Sequence, residues 1–329
     1  MPSARPFLVL ALMAVLALTG CTTGSSSPTA LTVGLGYIPS VQFAPFYLAQ
    51  QKGYYRDAGL QVTFQNKIDP DLVTLVGQGA IDVGLSDGTS VIPAVSQGIP
   101  IRYVATVYRA FPSIVFAKQS SGIKAAVDLK GRKIGIPGRY GSSWIMLQAL
   151  LGSAGLTPAD VTIVEYPDFG QGAAVRQGAV DAATGFVNNE PVQLELAGVK
   201  TVVLHVDGIV ALPGPGLITG TKALDTKRAP VAAFVAATLR AMREIVASPA
   251  AGLDASIAAV PDLGQNRPTQ QAILAATIDA WTGGQGVAGL GTIDRDGWSK
   301  SIDFMSGLGL VPKPVTVDQL VDGRLLPAN

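Results

Sequence analysis

The chain has 329 residues, a formal net charge of +1 and only 14% charged residues. That length accommodates two lobes of ordinary domain size. The near-neutral balance argues against nucleic acid and against a polyanionic partner, which both require a basic patch.

The amino terminus reads as a secretion signal over residues 1–20. Arg5 supplies the positive start, and Phe7 to Leu18 is a continuous apolar run, shorter than the roughly 20 residues of a membrane-spanning helix. Leu18-Thr19-Gly20-Cys21 resembles a lipobox, which implies that Cys21 becomes the lipidated first residue and anchors the protein to the outer face of the cell membrane. Residues 21–30 are rich in Ser, Thr, Gly and Pro and read as a flexible tether. No later segment holds about 18 uninterrupted apolar residues. The mean hydropathy of +0.37 therefore reflects the signal and abundant Ala, Val and Leu.

Cys21 is the only cysteine, which rules out an intrachain disulfide and leaves almost no room for a cysteine-based metal site. The single histidine, His205, falls in Thr201 to Val206, which reads as a strand, so it is expected to be a satisfied sheet residue. No metal site, cofactor site or catalytic constellation is expected.

Leu31 to Tyr37 is a strand running into a loop, and Phe43 to Lys52 is a helix ended by Gly53. Leu60 to Phe64 alternates as a strand. Asp69-Pro70 starts a helix over Asp71 to Gln78. Ala80 to Leu85, Ser90 to Gln97 and Ile101 to Val107 follow as strand, helix and strand. The rhythm is that of a mostly parallel sheet covered by helices. It restarts with a turn and strand over Leu129 to Pro137, then a helix (Ser142 to Leu151), a strand (Val161 to Glu165), a helix (Gly170 to Gln177) and a strand (Val180 to Phe186). From about Ala229 the chain reads as mainly helical, with amphipathic stretches at Val231 to Ser248 and Thr269 to Trp281.

Gln78-Gly79-Ala80-Ile81-Asp82 recurs as Gln177-Gly178-Ala179-Val180-Asp181, at matching places in the two series. The loops that follow, Ser86-Asp87-Gly88-Thr89 and Asn188-Asn189-Glu190, lie at carboxyl ends of strands. Ligands bind there in open α/β sheets, so the two loops are expected to face one cleft.

Tyr37-Ile38-Pro39-Ser40-Val41-Gln42-Phe43-Ala44-Pro45-Phe46-Tyr47-Leu48-Ala49-Gln50-Gln51-Lys52-Gly53-Tyr54-Tyr55 resembles the opening of the solute-binding proteins related to thiamine-pyrimidine biosynthesis proteins. Asp128-Leu129-Lys130-Gly131-Arg132-Lys133-Ile134-Gly135 is similar to that family's entry into its second lobe, and Phe186-Val187-Asn188-Asn189-Glu190-Pro191-Val192 to its pyrimidine-contacting segment. The resemblance implies an α/β fold of the type II periplasmic binding protein kind, with two lobes joined by a two-strand hinge. Lobe one would comprise 31–112 and 213–329, and lobe two 113–212. It further implies a monomer that hands a small molecule to an ABC permease and its ATPase.

The family's known solutes include sulfonates, nitrate, formylaminopyrimidine, hydroxymethylpyrimidine and riboflavin. Ser142 and Ser143 at a helix start would suit an anion, but Arg139 is one cation among several rings. Tyr37, Phe43, Tyr108, Phe111, Tyr140 and Trp144 all fall at expected strand ends or helix starts, which suits a flat heterocycle. Glu190 would accept from ring N–H groups, and Asn188, Asn189, Asp87 and Thr89 would pair with carbonyls or hydroxyls. Core packing is the competing reading for Phe43 and Trp144, and helix capping for Asp87. Pyrimidine-binding relatives have a Trp before the opening Tyr and a His in the next helix, where this chain has Gly36 and Phe43. Riboflavin is therefore the first expectation. A pyrimidine-synthesising enzyme, the reading from another class, would need a histidine and cysteine-rich motif that the sequence does not contain.

Overall fold

The computed structural model describes residues 27–68 and 70–327. The expected signal, Cys21, most of the tether and Asp69 lie outside the described residues.

The first series runs β1 (Thr29–Leu35), α1 (Ala44–Gln51), α2 (Tyr54–Asp57), β2 (Leu60–Asn66), α3 (Asp71–Gln78), β3 (Val83–Ser86), α4 (Gly88–Ser96) and β4 (Ile101–Thr106). The second runs β5 (Ser113–Lys118), β6 (Lys133–Ile136), α5 (Gly141–Ser153), β7 (Thr162–Glu165), α6 (Gln171–Gln177), β8 (Ala182–Phe186), α7 (Glu190–Leu196) and β9 (Thr201–Leu204). The chain then returns through β10 (Gly216–Gly220) into α8 (Thr221–Thr226), α9 (Arg228–Ala247), α10 (Pro249–Ala259), α11 (Arg267–Thr282), α12 (Arg295–Gly307) and α13 (Val317–Leu320).

Local chemistry sets the entry to α1. Ser40 Oγ accepts the Gln42 N–H at 3.2 Å and caps a single 3-10 turn, and Pro45 stands in the first turn of the helix. Gly53, at φ +74°, then reverses the chain in a region that a side chain disfavours.

Each sheet has five strands, in the orders β2-β1-β3-β10-β4 and β7-β6-β8-β5-β9. Strands β1, β2 and β3 are mutually parallel, and so are β6, β7 and β8. One antiparallel strand enters each sheet from the far side of a crossing: β5 pairs with β8 and β9, and β10 with β3 and β4. The chain thus crosses between the sheets twice, at 107–112 and 205–215. This is the two-lobed α/β arrangement that the resemblance implies.

The pseudo-repeat is structural. Gly79 and Gly178 both adopt left-handed φ, +73° and +78°, to end α3 and α6. Asp82 then accepts the Thr32 N–H of β1 at 2.9 Å, and Asp181 the Lys133 N–H of β6 at 2.8 Å. Each copy pins its strand to the sheet by the same device.

Three sequence expectations are corrected. Strand β1 ends at Leu35, which leaves Tyr37 in the loop. Strand β3 begins at Val83, because Gly79 to Asp82 form the turn and the pin. Strand β9 ends at Leu204, so His205 lies exposed beyond the sheet.

Helices cover both faces of the first sheet. On one face Phe234 of α9 stacks on Phe46 (6.3 Å between centroids) and Tyr55 (5.0 Å). The other face packs into a core continuous with that under α5. Phe234 is fully buried, so Phe234→Ala is worth about 3–5 kcal/mol.

Candidate functional site

The carboxyl ends of β1, β3, β6 and β8 open on one cleft of about 860 Å³, counted to its mouth. Gly36 and Tyr37 follow β1, Asp87 follows β3, Pro137 and Tyr140 follow β6, and Asn189 and Glu190 follow β8. The two crossings contribute Tyr108 and Pro215 to the lining. Both charged residues on the lining, Asp87 and Glu190, are acids.

Of the residues expected from sequence, Tyr37, Phe43, Asp87, Tyr108, Tyr140, Ser142, Asn189 and Glu190 line the cleft. Phe43 does so while packing edge-on against Phe46 and Tyr47, so its core and lining roles coexist. Thr89, Trp144 and Asn188 stand behind the lining. Thr89 is fully buried in the first turn of α4. Trp144 lies one helical step beyond the cleft and receives the Arg139 guanidinium, 5.2 Å from its ring centre. Arg139 also pairs with Glu165 at 3.1 Å, which draws that cation away from the cleft. Asn188 is completely buried, and its Nδ2 donates to Gln42 Oε1 (2.9 Å) and Thr277 Oγ1 (2.8 Å). It therefore bonds the loop after β8 to α11 and the turn before α1.

Glu190 opens α7, and its carboxyl folds back over the end of β8. Oε2 accepts the Phe186 N–H at 2.9 Å, and Oε1 accepts the Gln171 amide at 3.2 Å. Gly185 makes this possible, since a Cβ there would lie 2.6 Å from Oε2. Burial pushes the Glu190 pKa up to about 7, with hydrogen bonds from the backbone N–H groups of Phe186 and Glu190 acting against it. At neutral pH the group therefore exists both as acid and as carboxylate, able to donate or accept. Burial, with Glu190 nearby, also raises the Tyr37 hydroxyl, which stays a neutral phenol.

Asp87 departs from the capping reading. It holds the residue position before α4, but its side chain makes no capping bond there. Oδ2 instead accepts the Ser142 N–H at the start of α5, at 2.8 Å. That bond runs from the loop of one sheet to the helix of the other. Burial raises the pKa of Asp87, and the Ser142 N–H and hydroxyl act against it.

Sequence reasoning missed Gln42, Phe169, Gln171 and Phe186 on the lining. Phe169 is the informative omission. It sits at φ +59°, and is the only non-glycine at positive φ among the described residues. This strained conformation brings its ring edge-on to Tyr37, with centroids 4.7 Å apart and planes at 80°. Phe186 meets Tyr108 in the same way at 6.3 Å. The sequence carries no signal for a phenylalanine forced into a glycine-like conformation. Gln171 leaves Oε1 buried and without a partner. Among the described residues, no group of three or more His, Cys, Asp or Glu side chains is placed to hold a metal ion.

Two α/β sheets that meet at such a cleft form the architecture of the periplasmic binding proteins. The chain belongs to the family described as NMT1/THI5 like, whose model matches residues 40–252. The riboflavin-binding protein RibY of Chloroflexus aurantiacus is 33% identical over 98% of this chain and 98% of its own. The 4-amino-5-hydroxymethyl-2-methylpyrimidine phosphate synthase of Legionella pneumophila is 25% identical over 92% of this chain and 94% of its own. Among solved structures, the alkanesulfonate-binding protein SsuA from Xanthomonas axonopodis pv. citri, bound to MOPS, matches with a TM-score of 0.72 at 20% identity. That match covers 90% of this chain and 99% of the SsuA chain. The periplasmic aliphatic sulphonate binding protein SsuA from Escherichia coli matches with a TM-score of 0.69 at 20% identity, covering 90% and 92%.

Proposed function

We propose that this protein captures riboflavin outside the cytoplasm and delivers it to an ABC permease, without catalysing a reaction. The observation that carries the reading is the lining. Tyr37 and Phe169, Tyr108 and Phe186, Phe43 and Tyr140 surround a cleft whose charged groups are both acids. Rings from both lobes suit a flat tricycle, and the anions among the alternative solutes would meet Asp87 and Glu190. Gln171 Oε1, Ser142 Oγ and the Glu190 carboxyl offer acceptors and donors for an imide edge and hydroxyls. The similarity to RibY over nearly the whole of both chains supports the same ligand.

On this reading 31–112 with 213–329 form one lobe, 113–212 form the other, and the protein acts as a monomer. Lipidation at Cys21 would hold it on the outer face of the membrane; among the described residues no helix is long and apolar enough to cross it. The test is a calorimetric series on the purified protein with riboflavin, hydroxymethylpyrimidine, formylaminopyrimidine, taurine and nitrate. Riboflavin is expected to bind tightest, with quenched flavin fluorescence. Tyr37→Leu is expected to weaken it by about 0.5–1.5 kcal/mol beyond lost contact area. Tight binding of a pyrimidine or an anion with no flavin response would refute the assignment.

A further inference from the structure

The geometry points to Asp87 as the residue that sets the charge of the solute, on the reading that the cleft is the solute site: its carboxylate fills, from within the chain, an anion cradle at the amino end of α5.

Helix α5 runs from Gly141 to Ser153, long enough for its aligned peptide dipoles and free first-turn N–H groups to favour negative charge. Its amino end opens on the cleft through Gly141, Ser142 and Ser143. Two features make this end a built cradle. Ser142 is 1% exposed on the cleft lining, and no partner other than Asp87 faces its Oγ. Gly141 sits at φ +61°, and a Cβ there would stand 2.9 Å from Asp87 Oδ2. The missing side chain is what lets a carboxylate reach the helix end.

The occupant comes from the opposite sheet. Asp87 Oδ2 takes the Ser142 N–H at 2.8 Å and forgoes the capping bond that its own position before α4 offers. A solute anion would have to displace a carboxylate that the backbone keeps permanently close to the cradle. It would then face two acids, Asp87 and Glu190, with no cation among the described residues of that lining. Arg139 is held elsewhere by Glu165 and Trp144. The same cleft that would hold a sulfonate or nitrate on a bare α5 is thereby reserved for neutral or cationic solutes.

Riboflavin, methanesulfonate and sulfate are titrated by calorimetry into purified wild type, Asp87→Ala, Asp87→Ser and Asp87→Asn, with thermal melts to check folding. Serine is itself a good helix cap, so Asp87→Ser serves if the alanine variant fails to fold. Methanesulfonate is expected to bind at least about tenfold more tightly to the alanine and serine variants than to wild type. Asp87→Asn keeps an oxygen over the Ser142 N–H and is expected to gain less. Equal anion binding by wild type and Asp87→Ser overturns the inference, and so does tight methanesulfonate binding by wild type. The riboflavin arm reads the solute assignment separately. An anion gain without flavin binding removes riboflavin and leaves the role of Asp87, whereas flavin binding without an anion gain does the reverse.

Discussion

Glu190→Gln replaces a buried carboxyl with an amide of the same shape. In the wild-type protein the two carboxyl oxygens accept the Phe186 N–H and the Gln171 amide, at 2.9 and 3.2 Å. The new amide keeps the first bond through its oxygen. Its NH2 meets Gln171 Oε1, which has no partner in the wild type, once the Gln171 amide turns over. What the substitution removes is the titration. Burial raises the Glu190 pKa from 4.5 to about 7, so the folded protein holds this proton more tightly than the unfolded chain. Below about pH 4.5 both states are protonated and the two proteins should have matching stability. As pH rises from about 4.5 to about 7, wild type loses stability that the variant keeps. At 1.36 kcal/mol per pH unit the loss is about 3 kcal/mol. For a chain of this size, with an unfolding entropy of about 2.1 cal/mol/K per residue, that is roughly 5 °C in Tm. Paired urea and thermal unfolding at pH 4, 5.5, 7 and 8 reads the difference between the two proteins, in which other titrating groups cancel. A gap that does not change with pH would refute the buried-acid reasoning.

Asn188→Ala removes the donor to Gln42 and Thr277 from a fully buried position and is expected to cost about 1–3 kcal/mol in urea unfolding. It should also enlarge the radius of gyration in small-angle scattering, because these bonds tie one lobe to the other; unchanged stability and size would remove Asn188 from that role. Asp322, 5% exposed at its side chain, is held by Arg228 at 2.9 Å and Arg324 at 2.8 Å, and the Arg324 hydrogen bonds keep its carboxyl well below the usual carboxylate range. Its contribution is present above the ordinary carboxylate pKa and is lost as pH falls. Asp322→Asn should therefore cost about 1–3 kcal/mol at pH 7 and flatten the acid limb of a stability-against-pH curve.

The parallel series was legible because short Val, Ile and Leu runs alternate with helices that end in glycine. The cleft was legible through the pseudo-repeat, whose following loops both reach the lining. Strands β5 and β10 were not legible. Five of the six residues of Ser113–Lys118 and all five of Gly216–Gly220 are buried, so neither shows the alternation of a half-exposed strand. Their antiparallel partners lie far away in sequence, as in Ser113 with Phe186 and Gly216 with Ser86. At the site, spacing places a residue in a loop but does not give the direction of its side chain. Asp87 and Trp144 sit at helix starts, yet one reaches across the cleft and the other turns to Arg139. The direction of Asp87 comes from the opposite sheet, which local sequence does not specify, whereas the cation that draws Trp144 stands only five residues before it.

The placement of β10 between β3 and β4 has a consequence for how the chain acquires its shape. All five strands of the second sheet fall within one continuous stretch, Ser113 to Leu204, so that sheet can close as soon as the stretch is complete. The first sheet cannot, because its fourth position stays empty until Gly216–Gly220 arrives. As a chain emerging amino end first, the earlier half must wait for the later one. The second sheet needs only local pairings to close, and the first, with the longer-range pairings, is expected to close later.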